Sequence, residues 1–358
     1  MNTVVTILCF ILMLSAIILI HEFGHFIFAK IFKVYVYEFS LGMGPQLLKW
    51  KGKETIYSLR LLPIGGYCAM AGEDEKENLQ DVANKIEVPK ERTITNIHWF
   101  KKILIMFAGP AMNFLLAWLI FIGIYANVGY KVINPPAYVN GVVEGSPAQA
   151  AGFEYGDQIE KVTYSDGSSI VPEDFYDIIN ENLYHHDEMT YTISRNGETI
   201  DITVTPVYNE TDQKYEVGII LPESETVKLD GLGVIKAATD YFGDASTLIF
   251  KVFKKLFRGI GLENLSGPIG IYSATATELQ YGFTSFMALV GVLSLNIGIA
   301  NLIPIPMFDG GRILITIIEA IIRRPLPPKV VNALMTASLI LVLLLFAFVT
   351  YNDIARLL

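Results

Sequence analysis

Charged residues are scarce in this chain. Only 18% of its 358 residues are charged, whereas soluble proteins carry about 25%. Hydrophobic residues make up 52% of the chain, and the mean hydropathy is +0.43. This composition excludes an ordinary soluble protein and indicates a membrane protein with a substantial polar part. The net charge is −9, and we expect no nucleic-acid partner.

Cysteine is scarcer still. The two cysteines, Cys9 and Cys68, lie far apart in the sequence, and Cys9 sits inside an apolar run. This usage excludes a disulfide framework. Neither cysteine has the spacing of a metal ligand, so a metal site would need other side chains.

Long apolar runs are abundant. Four segments are long and apolar enough to cross a bilayer, which takes about 20 residues: 4–28, 103–128, 283–303 and 333–350. The first has no basic residue at its amino end and no small-x-small cleavage site after it. It therefore predicts a retained membrane helix rather than a cleaved signal peptide.

Lysine and arginine are concentrated in two polar segments. These are 33–102, between the first and second spans, and 312–329, between the third and fourth. The positive-inside rule places both in the cytoplasm. Both termini and the long acidic segment 129–230 are then predicted to lie outside.

The first apolar run ends in a cluster of ionisable residues. In His21-Glu22-Phe23-Gly24-His25 the spacing places two imidazoles on one face of a helix. Imidazoles bind zinc, and a glutamate between them is the general base for water in zinc proteases. The alternative is a helix-end cluster whose polar tips reach the membrane interface. Because ionisable groups within spans are costly and usually functional, we favour a hydrolytic metal site in the membrane.

A third zinc ligand must come from another span at the same depth. The end of the third span supplies Asp309, after Pro304 and Pro306 interrupt the helix. The charge distribution places Asp309 and the two histidines toward the cytoplasmic ends of their spans. The alternative is that Asp309 caps a helix start beside Arg312.

Three amides lie within the predicted spans, at Asn113, Asn296 and Asn301. An amide in a span bonds to a neighbouring helix as packing, or it orients a site or a substrate. The residue types alone leave both roles open.

Short strands and glycine turns follow the first span and include Gly65 and Gly66. They predict either a plain cytoplasmic hairpin or a re-entrant sheet. The edge of a re-entrant sheet would receive an unwound, extended substrate by strand pairing.

The outside segment 135–222 has the character of a small soluble domain. Ser146–Gly152 predicts a capped helical turn, and Asn196-Gly197 predicts a hairpin turn between two strands. Gly-Ser-Pro-Ala-x-x-Ala-Gly at 145–152, followed by Gly-Asp-x-Ile at 156–159, resembles a circularly permuted bacterial PDZ domain. Such domains bind chain ends by strand addition, and the resemblance implies that the ligand loop includes Gly218.

The segment 230–282 joins this domain to the third span. Apolar and basic residues interleave between 236 and 258. This pattern indicates either an amphipathic helix on the membrane surface or a helix packed on the spans.

Four motifs together with the PDZ-like segment resemble the site-2 protease family, most of all the bacterial regulators of sigma-E protease, or RIP zinc metalloproteases. The motifs are His-Glu-x-x-His at 21–25, Gly-Pro-x-x-Asn-Phe at 109–114, Ser-Gly-Pro-Ile-Gly at 266–270 and Asn-x-x-Pro-x-Pro-x-x-Asp-Gly at 301–310. The resemblance covers most of the chain. It implies Zn²⁺ held by His21, His25 and Asp309, with Glu22 as the base, and a re-entrant sheet after the first span.

The resemblance also implies substrates and a location. The substrates are single-pass membrane proteins already shortened by another protease, such as anti-sigma factors or signal-peptide remnants. The location is the inner (cytoplasmic) membrane of a bacterium, with the bilayer and PDZ ligand chain ends as further partners. The candidate substrate-binding residues are Asn113, Asn296, Asn301, Pro304, Pro306, Gly65, Gly66 and Gly218.

The predicted fold is an α-helical polytopic membrane protein with about four transmembrane helices. It has a membrane-associated β-hairpin or re-entrant sheet and one inserted extracytoplasmic PDZ domain of α+β type. The predicted segments, in chain order, are the first helix (1–32), the cytoplasmic-side loop with the sheet (33–102), the second helix (103–130), the PDZ domain (135–222), the membrane-surface segment (230–282), the third helix, which carries Asp309 (283–315), and the fourth helix (330–352).

The predicted function is an intramembrane zinc metalloendopeptidase. A non-enzymatic membrane scaffold that binds exported chain ends is one alternative, and it predicts no bound zinc. A metal transporter using His21, His25 and Asp309 as a transit site is the other. A transporter has no need of Glu22 as a base.

Overall fold

The computed structural model describes residues 3–73, 87–210, 214–256, 258–262 and 265–356, without the side chains of residues 63 and 64. The chain forms two compact units. One contains residues 1–127 and 235–358, and the other is Val128–Val234. His21, Glu22, His25 and Asp309 all belong to the first unit, which we call the helical unit.

Among the described residues, four helices of the helical unit are long and apolar enough to cross a membrane. They are α1 (Thr3–Ile31), α2 (Trp99–Val128), α7 (Phe283–Asn301) and α9 (Pro328–Ala355). Their positions correspond to the four predicted spans. The smaller helices of the chain are α3 (Pro147–Ala151), α4 (Phe175–Asn182), α5 (Gly231–Leu256), α6 (Pro268–Tyr281) and α8 (Asp309–Ile322).

The spans cross where their residues are small. A Cβ on Gly24 of α1 would lie 2.6 Å from the carbonyl carbon of Ala108 in α2. On α7, Gly298 leaves room for the ring of Phe114 in α2, and Ser294 Oγ donates to the carbonyl of Asn113 at 2.9 Å. Small residues let helix backbones approach closely where lipid provides no hydrophobic driving force.

The third predicted span is interrupted. The interruption predicted at Pro304 and Pro306 is confirmed, because proline has no N–H to continue the helical hydrogen bonds. The third helix, predicted over 283–315, is α7 only as far as Asn301, and Asp309 begins the separate helix α8.

The turn between these helices packs onto the start of α8. A Cβ on Gly310 would lie 2.6 Å from the carbonyl oxygen of Ile303, and a Cβ on Gly311 would lie 2.5 Å from Pro306 Cα. Only glycine permits this approach of one backbone segment to another. The turn and the two glycines thereby fix where α8 starts, and with it the position of Asp309.

Two long strands, β1 (Val36–Lys51) and β2 (Ile56–Met70), follow α1. They replace the short strands expected from the sequence. Residues 38–41 have partners on both sides, 66–69 and 56–59, so the strands double over into a sheet of four segments. Exposed apolar side chains cover much of this sheet: Met43, Leu47, Leu48, Trp50, Leu61 and Leu62.

A buried carboxylate holds the doubled sheet together. Glu38 is 2% exposed, and its Oε1 accepts hydrogen bonds from Arg60 Nη2 at 2.9 Å, Gln46 Nε2 at 3.1 Å and the hydroxyl of Ser58. A buried charge is tolerated where it is paired and hydrogen-bonded. This network joins residues from three of the four segments.

Helix α5 packs on the spans within the helical unit. Its buried Ala238 and Ile249 belong to the same apolar cluster as Phe121 of α2 and Leu295 of α7, and Trp118 Nε1 donates to Thr239 Oγ1 at 3.0 Å. Of the two interpretations left open by the sequence, the structure supports a helix packed on the spans.

The amino end of α6 is capped from the last helix. The carboxylate of Asp353 in α9 is 4% exposed and accepts from the N–H groups of Gly267 at 3.1 Å and Gly270 at 2.9 Å. A Cβ on Gly267 would lie 2.8 Å from Asp353 Oδ2. Helix starts leave N–H groups without partners, and an acid satisfies them.

The second unit is built from short strands around its own apolar core. The described strands are β3 (Tyr130–Ile133), β4 (Gly141–Val142), β5 (Gln158–Tyr164), β6 (Ser169–Ile170), β7 (Met189–Arg195), β8 (Glu198–Val204), β9 (Val207–Asn209), β10 (Lys214–Glu216), β11 (Ile219–Ile220) and β12 (Glu225–Lys228). The main sheet has the strand order β6-β5-β7-β8.

Two local predictions for this unit are confirmed. The N-cap Ser146 accepts from the N–H of Gln149, and helix α3 ends at Ala151 with Gly152 as its C-cap, at φ of 87°. Asn196 and Gly197 join β7 to β8 with φ of 54° and 86°, as a two-residue hairpin turn requires.

Candidate metal centre and active site

Three buried donor atoms converge in the helical unit. His21 and His25 lie one turn apart on α1, and Asp309 is the first residue of α8. Asp309 Oδ2 lies 3.1 Å from His21 Nε2 and 3.3 Å from His25 Nε2, and the two Nε2 atoms are 3.2 Å apart. The three atoms therefore form a nearly equilateral triangle.

The triangle fits the donor set of zinc. Bonds of about 2.0–2.1 Å in a tetrahedral arrangement separate neighbouring ligand atoms by about 3.3 Å. Asp309 Oδ2 is buried and has no hydrogen-bond partner among the described residues, although both imidazoles are close to it. Two imidazoles and one carboxylate around a shared point can hold a metal ion, and a cation there would satisfy the buried oxygen.

Gly109 of α2 leaves the space that such an ion needs. A Cβ at this position would lie 2.6 Å from His25 Cε1 and 2.8 Å from His21 Nε2. Any other residue would place carbon against the donor atoms. The first two spans are also in close contact at this level, where Gly24 meets Ala108.

Helix α2 orients both imidazoles from behind. His25 Nδ1 lies 2.8 Å from the carbonyl oxygen of Ile105. In the tautomer with its proton on Nδ1, the ring donates to this oxygen and leaves the lone pair of Nε2 free for a metal. Main-chain acceptors of this kind fix the tautomer and direction of metal-binding histidines.

Asn113 occupies the corresponding place beside His21. Its Nδ2 lies 3.3 Å from His21 Nδ1, and its Oδ1 is buried without a partner among the described residues. Exchanging the amide oxygen and nitrogen would let Oδ1 accept from the Nδ1–H of a zinc-binding His21. In that orientation the asparagine would hold the ring of His21.

The second strand of the doubled sheet runs beside Glu22. A Cβ on Gly66 would lie 2.8 Å from the carbonyl of Ser40 and 3.6 Å from Glu22 Cγ. Gly65, the next residue back, has φ of 89° and faces the side chain of Met43. A strand thus borders the candidate base.

The remaining candidate residues lie elsewhere. Asn296 and Asn301 are half-buried on α7, and in the described part of the chain their amides form no hydrogen bond with the three donors. Pro304 and Pro306 lie in the turn before Asp309. Gly218 belongs to the second unit, where its φ is 87° and its carbonyl accepts from the N–H of Val143.

Sequence reasoning missed the roles of Gly109 and of the Ile105 carbonyl. The available signal was a glycine followed by Pro110 inside an apolar span, a pair that marks close backbone approach or a special backbone position. A main-chain acceptor such as the Ile105 carbonyl leaves no residue-type signal, because every residue carries one.

The sequence of the chain matches the profile of peptidase family M50 over residues 9–345. The zinc metalloprotease RasP of Oceanobacillus iheyensis is 31% identical, and the alignment covers 98% of this chain and 99% of the relative. The zinc metalloprotease RasP of Shouchella clausii is 30% identical over 98% of this chain and 99% of the relative. The resemblance to the site-2 proteases is therefore confirmed, and the chain belongs to peptidase family M50.

Proposed function

We propose that this peptidase is an intramembrane zinc metalloendopeptidase that cuts the membrane-spanning segments of single-pass proteins. One observation carries the proposal. The triangle of His21, His25 and Asp309 lies between helices that are apolar, and the first of them is long enough to cross a membrane. The family is that of zinc metalloproteases, so Zn²⁺ is the metal for this donor set.

Each of these residues has a separate role in the proposed hydrolysis of a peptide bond. His21, His25 and Asp309 would hold Zn²⁺, which when bound would polarise the scissile carbonyl and lower the pKa of the attacking water. Glu22 accepts a proton from the attacking water and passes it to the nitrogen of the leaving amine as the C–N bond breaks. Asn113 and the Ile105 carbonyl keep the imidazoles in place.

The strand beside Glu22 supports a mode of substrate binding. A helical peptide bond is shielded, so the substrate must unwind before it is cut. The segment containing Gly65 and Gly66 would pair with the unwound strand at a sheet edge, which makes the doubled sheet the re-entrant sheet of the sequence prediction. Its exposed Leu47, Leu48 and Trp50 suit an apolar environment. Asn296, Asn301, Pro304 and Pro306 are proposed to border the same substrate.

The second unit is proposed to contain a PDZ domain over residues 135–222. Its capped helix α3 and the β7–β8 hairpin support that assignment. Gly218 lies in the segment that would bind the end of a chain, and the ligands would be substrates already shortened by another protease. The charge distribution favours a multi-pass protein of the bacterial inner membrane with both termini and this domain outside and the metal centre near the cytoplasmic side.

The test replaces Glu22 by Gln, with Glu278→Gln on α6 as a control that makes the same charge change outside the site. Membranes containing the Glu22 variant should accumulate truncated single-pass fragments, whereas wild type and the control should not. Purified Glu22→Gln protein should keep its zinc, because Glu22 is not a ligand.

The same variant separates the alternatives. Cleavage of a reporter substrate at the normal rate by Glu22→Gln would contradict the proposed mechanism. A scaffold predicts a purified protein without zinc. Metal flux into proteoliposomes that survives the loss of Glu22 would favour a transporter.

A further inference from the structure

A basic cavity of about 980 Å³ opens at the carboxyl end of α1, and none of the three metal-binding candidates lines it. Its cationic lining consists of Lys30, Lys33, Lys90, Arg92 and Lys101. Two carboxylates, Glu54 and Glu91, also line it, so positive charge is in excess. The volume lies within the range of small-molecule sites.

Part of this lining is a fixed wall. Arg92 binds both oxygens of Glu54, at 2.8 and 3.0 Å, and Lys30 Nζ lies 3.1 Å from the same carboxylate. Arg92 Nε also donates to the carbonyl of Lys33 at 3.0 Å. These bonds hold the segment around residue 92 against the end of α1, and they neutralise the charge of Glu54.

Three other cations remain available. No carboxylate in the described part of the chain pairs with Lys33, Lys90 or Lys101. Lys101 Nζ lies over the ring of Phe32, 5.8 Å from its centre, and this cation–π contact keeps the ammonium group at the cavity. A cavity with fixed walls and three unpaired ammonium groups attracts an anion.

The position of the cavity indicates the source of that anion. It lies where α1 ends and α2 begins, at the ends of two helices that are apolar enough to cross a membrane. Trp99 and Phe100, next to the cavity, are 44% and 51% exposed, and aromatic side chains concentrate at headgroup level. Phe32 and Ile97 add apolar surface to the lining, which a lipid can use and a free ion cannot.

We infer that this cavity binds the phosphate-bearing headgroup of an anionic membrane lipid. Basic pockets between helices on the cytoplasmic face are suited to such headgroups. Lys33, Lys90 and Lys101 contact the phosphate, while the Arg92–Glu54–Lys30 wall shapes the cavity.

The experiment uses the full chain purified in a neutral detergent and titrated with phosphatidylglycerol or phosphatidylcholine, with bound lipid counted by native mass spectrometry. The test variant is Lys33→Gln/Lys90→Gln/Lys101→Gln. The control is Lys49→Gln/Lys51→Gln/Lys53→Gln, which removes the same charge from the β1–β2 turn region outside the cavity. Zinc content, measured on each preparation, shows that the helical unit has folded.

Wild type and the control should retain one tightly bound phosphatidylglycerol, and the test variant should bind it about a hundredfold more weakly. Phosphatidylcholine should bind no more tightly to wild type than to the test variant. Equal retention of phosphatidylglycerol by both triple variants would overturn the proposal. Displacement of the lipid by millimolar inorganic phosphate would also overturn it and would assign the cavity to a soluble phosphate.

Discussion

Replacing Gly109 by Ala should remove zinc without unfolding the protein. The new Cβ would lie 2.8 Å from His21 Nε2, whereas ordinary van der Waals contact begins at 3.4 Å, so the ring must move by at least 0.6 Å. His25 is still closer and must move farther. The atoms in the way are the far ends of two imidazoles, which can rotate, and not backbone.

The expected loss follows from that displacement. Disturbing only the groups that orient a metal ligand costs 10- to 100-fold in affinity. Because Gly109→Ala displaces two ligands, we expect at least a 100-fold loss, or about 3 kcal/mol. The measurement is zinc per chain by elemental analysis after dialysis against a competing chelator, together with the melting temperature of metal-free protein.

Two other glycines provide the controls. Gly123→Ala on the same helix meets no atom within 4 Å and should behave as wild type. Gly24→Ala meets the backbone of Ala108, which cannot move aside, so it should lower the melting temperature even without metal. Gly109→Ala protein with full zinc retention would refute the placement of the metal beside this glycine. A metal-free melting temperature as low as that of Gly24→Ala would refute the distinction between ring and backbone.

Three other changes test separate parts of the structure. Asp309→Asn should weaken zinc retention, and a normal metal content would remove it from the ligand set. Asp353→Ala should cost about 1–2 kcal/mol in thermal unfolding while zinc content stays normal; an unchanged melting temperature would contradict its capping of α6. Hydrogen bonds from Arg92 and Lys30 lower the pKa of Glu54 to about 2, so the stability that it adds is complete above the usual 4.5 and is lost as the pH falls toward 2. The Tyr35 amide donates to the Arg92 carbonyl, so its protection against hydrogen exchange should stay constant between pH 8 and 5. Glu54→Gln should lower this protection at pH 7.

The parts of the site that depend on local spacing were predictable. The four-residue interval between His21 and His25 fixes their common helix face, and Asn196-Gly197 fixes its own turn. Asp309 required the charge distribution and the family resemblance, because a separation of 284 residues from His25 carries no local signal.

Other features arise from contacts between distant segments. That Gly109 faces the donor atoms follows from the crossing of α1 and α2, which helical periodicity does not specify. The capping of α6 by Asp353 links residues 86 positions apart. The doubling of the β1–β2 sheet depends on the buried Glu38, whose partners are scattered along both strands. In each case the sequence pattern allowed several arrangements, and tertiary packing determined which of them formed.

The split ligand set has a consequence for biosynthesis. His21 and His25 leave the ribosome long before Asp309, and at 5–20 residues per second the interval is roughly 15–60 s. Throughout this time the proposed site has only His21 and His25, a pair that holds zinc weakly compared with the complete triangle. With the proposed ligand set, catalytic competence would be a late event of synthesis, and a chain that stalls before residue 309 would stay inert in the membrane.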